Sequence, residues 1–174
     1  QWLPAVEVIG EGVFLRIRES QIAAWERRPE VVSRATQIIR NADPDREVPV
    51  TPRMILVHTL AHTIIDQWSL ECGYPASDLK ERLYIGDGMA GMLIYTSTSD
   101  STGSLGGLVS QAEPFKLENS ISEALDKATW CSNDPYCIET PGGFNSLNLG
   151  ACHACLLLPE VSCDEMNSYL DRGL

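Results

Sequence analysis

Five of the six cysteines fall in the last 44 residues, as Cys131-x5-Cys137, then Cys152-x2-Cys155, then Cys163. The 138–151 spacer and the residues around it are rich in Gly, Pro and Asn, which bury little apolar surface. A tail of this composition needs something other than a hydrophobic core to order it. Two short chelating turns brought together by folding are what a metal cage requires. Zinc suits thiolates in tetrahedral array, and a C-x2-C turn lets two sulfurs bind one ion.

The rest of the composition narrows the alternatives. Cysteine pairs read as disulfides in a secreted chain and as metal or redox sites in a cytosolic one. No stretch approaches the roughly 18 apolar residues of a membrane span, and the N-terminus lacks a basic region followed by an apolar one. The expectation is a soluble, unexported, cytoplasmic chain in which the thiols bind metal. The chain begins with Gln, which suggests an excised domain or a processed end of a longer polypeptide. A formal charge of −11 and a pI near 4.6 disfavour a surface that binds nucleic acid by itself. The one basic group, Arg16, Arg18, Arg27, Arg28 and Arg34, is diluted by Glu19, Glu26 and Glu30.

Cys131, Cys137, Cys152 and Cys155 are the expected ligands, with Cys163 as a possible substitute for Cys131 or a free thiol. Four thiolates fill every position around zinc and leave none for water, so the predicted site is structural rather than catalytic. An iron–sulfur cluster uses the same thiols. His153 lies inside the turn and is expected to point outward. Cys72, near a helix end, reads as a small buried hydrophobe.

Hydrophobic periodicity gives the organisation. Residues 5–17 alternate around Gly10 and Gly12, as one or two short strands with a tight turn. Residues 20–40 read as helix broken near Pro29, and 41–50 as a polar linker. Thr51 as N-cap, Pro52 at the first position, the stripe Val57, Leu60, Ala61, Ile64 and Trp68, and Gly73 as stop predict a core helix over 52–72. A short helix is expected near 76–82, a buried strand at 92–95, a helix from a Ser104 cap to about 111, and another over 118–130. Alternating helices and strands indicate a mixed α/β fold, a small sheet packed by helices with a zinc-stabilised tail at 131–163. The expected division is an N-terminal part, 1–50, leading into a unit at 51–174.

His58 and His62 stand one turn apart on the core helix, but Thr59 occupies the place of the glutamate in H-E-x-x-H, and no third ligand is evident. Both are expected to border the apolar stripe and bond to backbone. Gly103-Ser104-Leu105-Gly106-Gly107 opens a helix after a strand; it matches no phosphate-loop pattern, so close packing is the simpler reading of its glycines. An alternative function, a hydrolase or nuclease using His58, His62 and the 97–107 loop, rests on these two features.

Several segments together resemble the DrmB family, the helicase-associated component of the DISARM anti-phage system, and more broadly the MrfA-type zinc-binding (MZB) domain. They are HTLAHTIID (58–66), the GY…LKERLY stretch (73–84), GMLIYTSTSDSTGSLGGLV (91–109), CSNDPYC (131–137) and GACHACLLLPEVSCDEMNSYLDR (150–172). The resemblance implies a non-catalytic module with a cysteine-bound Zn2+, in a complex with a superfamily-2 (DrmA-like) helicase that engages DNA. The family often packs its first pair as C-x-C; here it is widened to C-x5-C.

Overall fold

The computed structural model describes residues 2–4, 7, 9–96 and 106–174. Its centre is a three-stranded antiparallel sheet of order β1-β3-β2, built from β1 (Gly12–Arg16), β2 (Leu79–Gly86) and β3 (Met89–Thr96). β2 and β3 form a hairpin with Gly86 opposite Met89, closed by Asp87 and Gly88. Gly88 takes φ 71°, a left-handed conformation that glycine adopts without strain. β1 pairs with the other edge of β3, Gly12 opposite Tyr95 through Arg16 opposite Gly91.

One face of this sheet is covered by α3 (Pro52–Cys72). Its ends follow the expected chemistry. The Thr51 hydroxyl accepts from Met54 N, Pro52 sits in the first turn, and Gly73 ends the helix at φ 71°. Val57, Ala61, Ile64, Ile65 and Trp68 pack with Val13, Leu79, Met92, Ile94 and Leu108 in the main core. Beside α3 lies α5 (Pro114–Ala128), fixed by the Trp68 indole N–H donating to Ser120 Oγ at 2.8 Å. The helices α1 (Glu19–Trp25) and α2 (Pro29–Ile39), broken at Pro29 as expected, extend the core through Ile22 and through Ala35 and Ile38.

The expected mixed α/β architecture is what the chain adopts, and three local expectations change. Residues 76–78 form a single 3-10 turn, and 79–86 are β2, not helix. The strand's inward positions include Leu79 and Glu81, both fully buried, so a carboxylate interrupts the apolar alternation. Among its described residues the 5–17 segment supplies one strand, and Gly10 and Gly12 serve close approach rather than a turn. A Cβ on Gly10 would lie 2.6 Å from Thr96 Oγ1, and one on Gly12 3.0 Å from Tyr95 Cβ. The helix expected from a Ser104 cap begins at Gly107 as the one-turn α4 (Gly107–Ser110); Ser104 and most of the 97–107 loop lie outside the described residues.

The N-terminal amides of α4 are taken by Glu11. Its carboxylate accepts from Gly106 N (2.8 Å), Leu108 N (3.2 Å) and Val109 N (3.0 Å), and from the Tyr74 hydroxyl (2.8 Å). The amides that an external anion would use are therefore satisfied from within. Burial alone would raise the Glu11 carboxyl, but the Val109 N–H, the Tyr74 hydroxyl and the Leu108 and Gly106 N–H groups outweigh it and hold it below the usual range. A depressed folded pKa gives stability that is present above the unfolded value, about 4.3, and is lost as pH falls through the folded one. Glu11→Ala is expected to cost about 3 kcal/mol at pH 7, measured by urea unfolding, and the gap from wild type should shrink below about pH 4. A constant gap across that range would refute the assignment.

Candidate metal centre

The tail is irregular, and its few elements have one visible consequence: they gather the cysteines. Cys131 follows the end of α5, and Cys137 lies in the single turn α6 (Tyr136–Glu139). The spacer then doubles back through β4 (Pro141–Gly142) and β5 (Asn148–Leu149), which pair antiparallel and deliver Cys152 next to the first pair. At the 152–155 turn, the Cys152 carbonyl accepts from Cys155 N, Leu156 N and Leu157 N at 3.0–3.2 Å.

The sulfurs of Cys131, Cys137, Cys152 and Cys155 all lie within 4.8 Å of one another. The separations are 3.6 Å for Cys131–Cys152, 3.7 Å for Cys137–Cys155 and 3.8 Å for Cys152–Cys155. A disulfide bond is about 2.05 Å long. The edge of a tetrahedron with 2.3 Å metal–sulfur bonds is about 3.8 Å. The spacing thus fits one ion held by four thiolates and leaves no room for a multi-iron cluster between them. All six cysteines are free of disulfides.

The surroundings also suit thiolates. Asn133 N donates to Cys131 Sγ (3.5 Å), Ala154 N to Cys152 Sγ (3.4 Å), Cys152 N to Cys155 Sγ (3.3 Å), and the Asn133 side-chain amide to Cys152 Sγ (3.4 Å). Burial pushes the Cys137 and Cys155 thiols up. Burial opposes ionisation of Cys152 as well, but the Ala154 N–H and Asn133 amide bring its thiol below the ordinary value. Arg172, its side chain only 2 % exposed, binds the Asp134 carboxylate and the Ala128 carbonyl and lies against Cys137. Four thiolates carry two charges more than a divalent cation neutralises, and Arg172 offsets part of that excess. His153 is exposed, as expected.

Cys163 is elsewhere. Its sulfur is 3.2 Å from His58 Nε2, in a second group of buried ligand-type residues made by His58, His62, Glu81 and Cys163. The expectation that His58 and His62 lack a third partner and bond only to backbone is therefore corrected. His62 Nδ1 does meet the Leu156 carbonyl at 2.9 Å, but His58 Nε2 approaches Glu81 Oε1 at 2.9 Å. The missed partners are 23 and 105 residues from His58, and only the fold brings them together. The single local signal was a glutamate at an inward strand position. Burial would raise the Glu81 carboxyl, yet His58 and His62 beside it hold it down at about 2. Both imidazoles are 0 % exposed, so neither presents an atom to an external substrate. Cys72 is half-buried, its sulfur near Gly107 O and the Gln111 amide, at the margin of the main core.

Residues 60–156, more than half of the chain, match the family model described as the MrfA Zn-binding domain. The chain belongs to this family. The matched range contains all four cysteines of the cluster and stops before Cys163. The chain is also similar to the "DISARM protein DrmB" of Bacillus paralicheniformis, 40 % identical over 182 aligned positions, which cover 99 % of this chain and 32 % of the relative. The chain thus spans about a third of the length of the relative it matches. In this MrfA Zn-binding domain, no helix among the described residues is long and apolar enough to cross a membrane.

Proposed function

We propose that this chain is the non-catalytic, zinc-stabilised module of a DrmB-type protein of a DISARM anti-phage system. In this reading Cys131, Cys137, Cys152 and Cys155 hold one structural Zn2+. The observation that carries it is the set of sulfur separations, 3.6–3.8 Å, in a chain of a Zn-binding family. The metal supplies cross-linking: it joins the end of α5 to the turn after β5, and no coordination position is left for a substrate. The module supports assembly of the parent protein with a superfamily-2, DrmA-like helicase. DNA is engaged by that complex rather than by a chain of net charge −11 acting alone.

Pull-down of the helicase by the full-length protein, with and without an intact cysteine cluster, tests the assembly role. Co-purification of wild type but not of a Cys152→Ser variant is expected, and a full-length protein that captures no helicase would sink it. The Arg172 contribution is separately measurable. Arg172→Met keeps the packing volume and removes the charge, so zinc loss to a competing chelator should be about 10-fold faster. An unchanged rate would mean that Arg172 packs without supporting the thiolates.

A further inference from the structure

The second buried cluster is not required by the four-cysteine site and has the composition of a metal cage. His58 and His62 project from one face of α3, Glu81 from the inward face of β2, and Cys163 from the chain just after a 3-10 turn at 160–162. Three elements distant in sequence thus converge on one point. His58, His62 and Glu81 are 0 % exposed and Cys163 6 %.

Hydrogen bonding within the protein satisfies only part of this cluster. His62 Nδ1 faces the Leu156 carbonyl at 2.9 Å, a pure acceptor, so Nδ1 carries the proton and the Nε2 lone pair points inward. That lone pair lies 3.5 Å from Glu81 Oε1, with no hydrogen-bond donor between them. His58 Nε2 is 2.9 Å from the same oxygen but is not aligned with it as a hydrogen bond; it is aligned with Cys163 Sγ at 3.2 Å. Neither Glu81 oxygen, nor His62 Nε2, has an aligned partner. One proton placed on His58 would pair it with Glu81 and still leave His62 Nε2 facing a carboxylate.

We propose that His58, His62, Glu81 and Cys163 form a second, closed site for a divalent metal of the zinc class. A zinc-sized ion bonds imidazole nitrogen and carboxylate oxygen at about 2.0–2.2 Å and thiolate at about 2.3 Å, which places neighbouring ligands about 3.3–3.6 Å apart. The contacts of 2.9, 3.2 and 3.5 Å are within a few tenths of an ångström of that range. One thiolate and one carboxylate balance a divalent cation, so the filled site is neutral, which full burial requires. The His62 Nδ1–H to carbonyl bond is the outer contact that orients a metal-bound imidazole. Asn167 N donates to Cys163 Sγ at 3.2 Å and does the same for the thiolate. The ion would clamp α3 to β2 and tie the C-terminal segment over both. Leu156, whose carbonyl orients His62, is the residue after Cys155, so the two metal sites share a wall.

The test is the zinc content of the full-length protein, purified without added metal, by native mass spectrometry and elemental analysis. Cys163→Ala and Glu81→Gln should each lose one equivalent relative to wild type and keep the four-thiolate equivalent, while Cys152→Ser loses the latter. This separates failure of the second site from failure of the cysteine cluster. Where a variant does not fold, cobalt exchange into the wild type decides. A second equivalent bound through one thiolate and imidazoles should appear beside the four-thiolate charge-transfer bands. Unchanged zinc in both variants, or a cobalt spectrum from four-thiolate coordination alone, overturns the proposal.

Discussion

Cys152→Ser, or prolonged chelation of the wild type, is expected to unfold the segment from Cys131 to Leu174. The reason is that the apolar cluster around the cysteines is small, since Leu147, Leu149, Leu158 and Tyr169 of this segment pack into the other two cores. Around the cysteines the buried apolar residues are Ala151, Leu156 and Leu170, with Cys155 and Leu157 packed against them. The regular elements are one helical turn, two strands of two residues and two short 3-10 turns. Each ordered residue costs about 1–2 kcal/mol of backbone entropy. A structural zinc contributes on the order of 10–16 kcal/mol, comparable to the whole 5–15 kcal/mol stability of a domain. The loss should also spread. Thr59 Oγ1 accepts from Asp171 N at 3.0 Å, Arg34 on α2 holds Asp171 through two bonds of 2.7 and 2.8 Å, and His62 binds Leu156 O. Hydrogen exchange should show residues 147–172 losing protection first, followed by the face of α3 carrying Thr59 and His62. Metal-free protein with an unchanged melting temperature and unchanged exchange over 147–172 would refute the structural role.

Much of this arrangement was legible in the sequence because the signals were local. α3 announces itself through Thr51-Pro52, a helical stripe and Gly73, and each does in the structure what local chemistry assigns to it. The break at Pro29 between α1 and α2 is likewise local. So is the grouping of four cysteines, since a C-x2-C turn and a nearby pair have few other uses. The features that were not legible depend on long-range pairing. Glu81 disguised β2, because an inward carboxylate reads as polar surface until its two imidazoles are brought opposite it. Cys163 looked like a spare ligand for the nearer cluster, being eight residues past Cys155, but the chain carries it to His58 instead. The glycines before α4 read as close packing because nothing in their neighbourhood showed that Glu11, some 95 residues earlier, accepts from the Gly106, Leu108 and Val109 amides. In all three cases a charged or ligand-type group occupies a place that periodicity would give to an apolar one. Such breaches of local pattern concentrate at sites that do more than pack.

Glu81→Gln is the second large effect expected. The exchange is nearly isosteric, so it opens no cavity, and what it removes is the one carboxylate of the cluster formed with His58, His62 and Cys163. His58 and His62 stand edge to face with ring centroids 4.5 Å apart, and both Nε2 atoms approach Glu81 Oε1. A glutamine at this position offers either an amide oxygen, which is uncharged, or an N–H group, which cannot accept and would displace any cation. Removing one partner of a buried charged set costs about 3–5 kcal/mol, because the others remain buried and uncompensated. Leu83→Ala on the same strand gives the comparison. It deletes apolar volume at a half-buried position and should cost less, about 1–2 kcal/mol, a fraction of what a fully buried leucine would. Urea unfolding at pH 7 should therefore rank Glu81→Gln as the more damaging change although it removes no atom from the packing. If Glu81→Gln unfolds within 1 kcal/mol of wild type while Leu83→Ala is the worse of the two, the core at this point is held by packing and the carboxylate has no charged partner to lose.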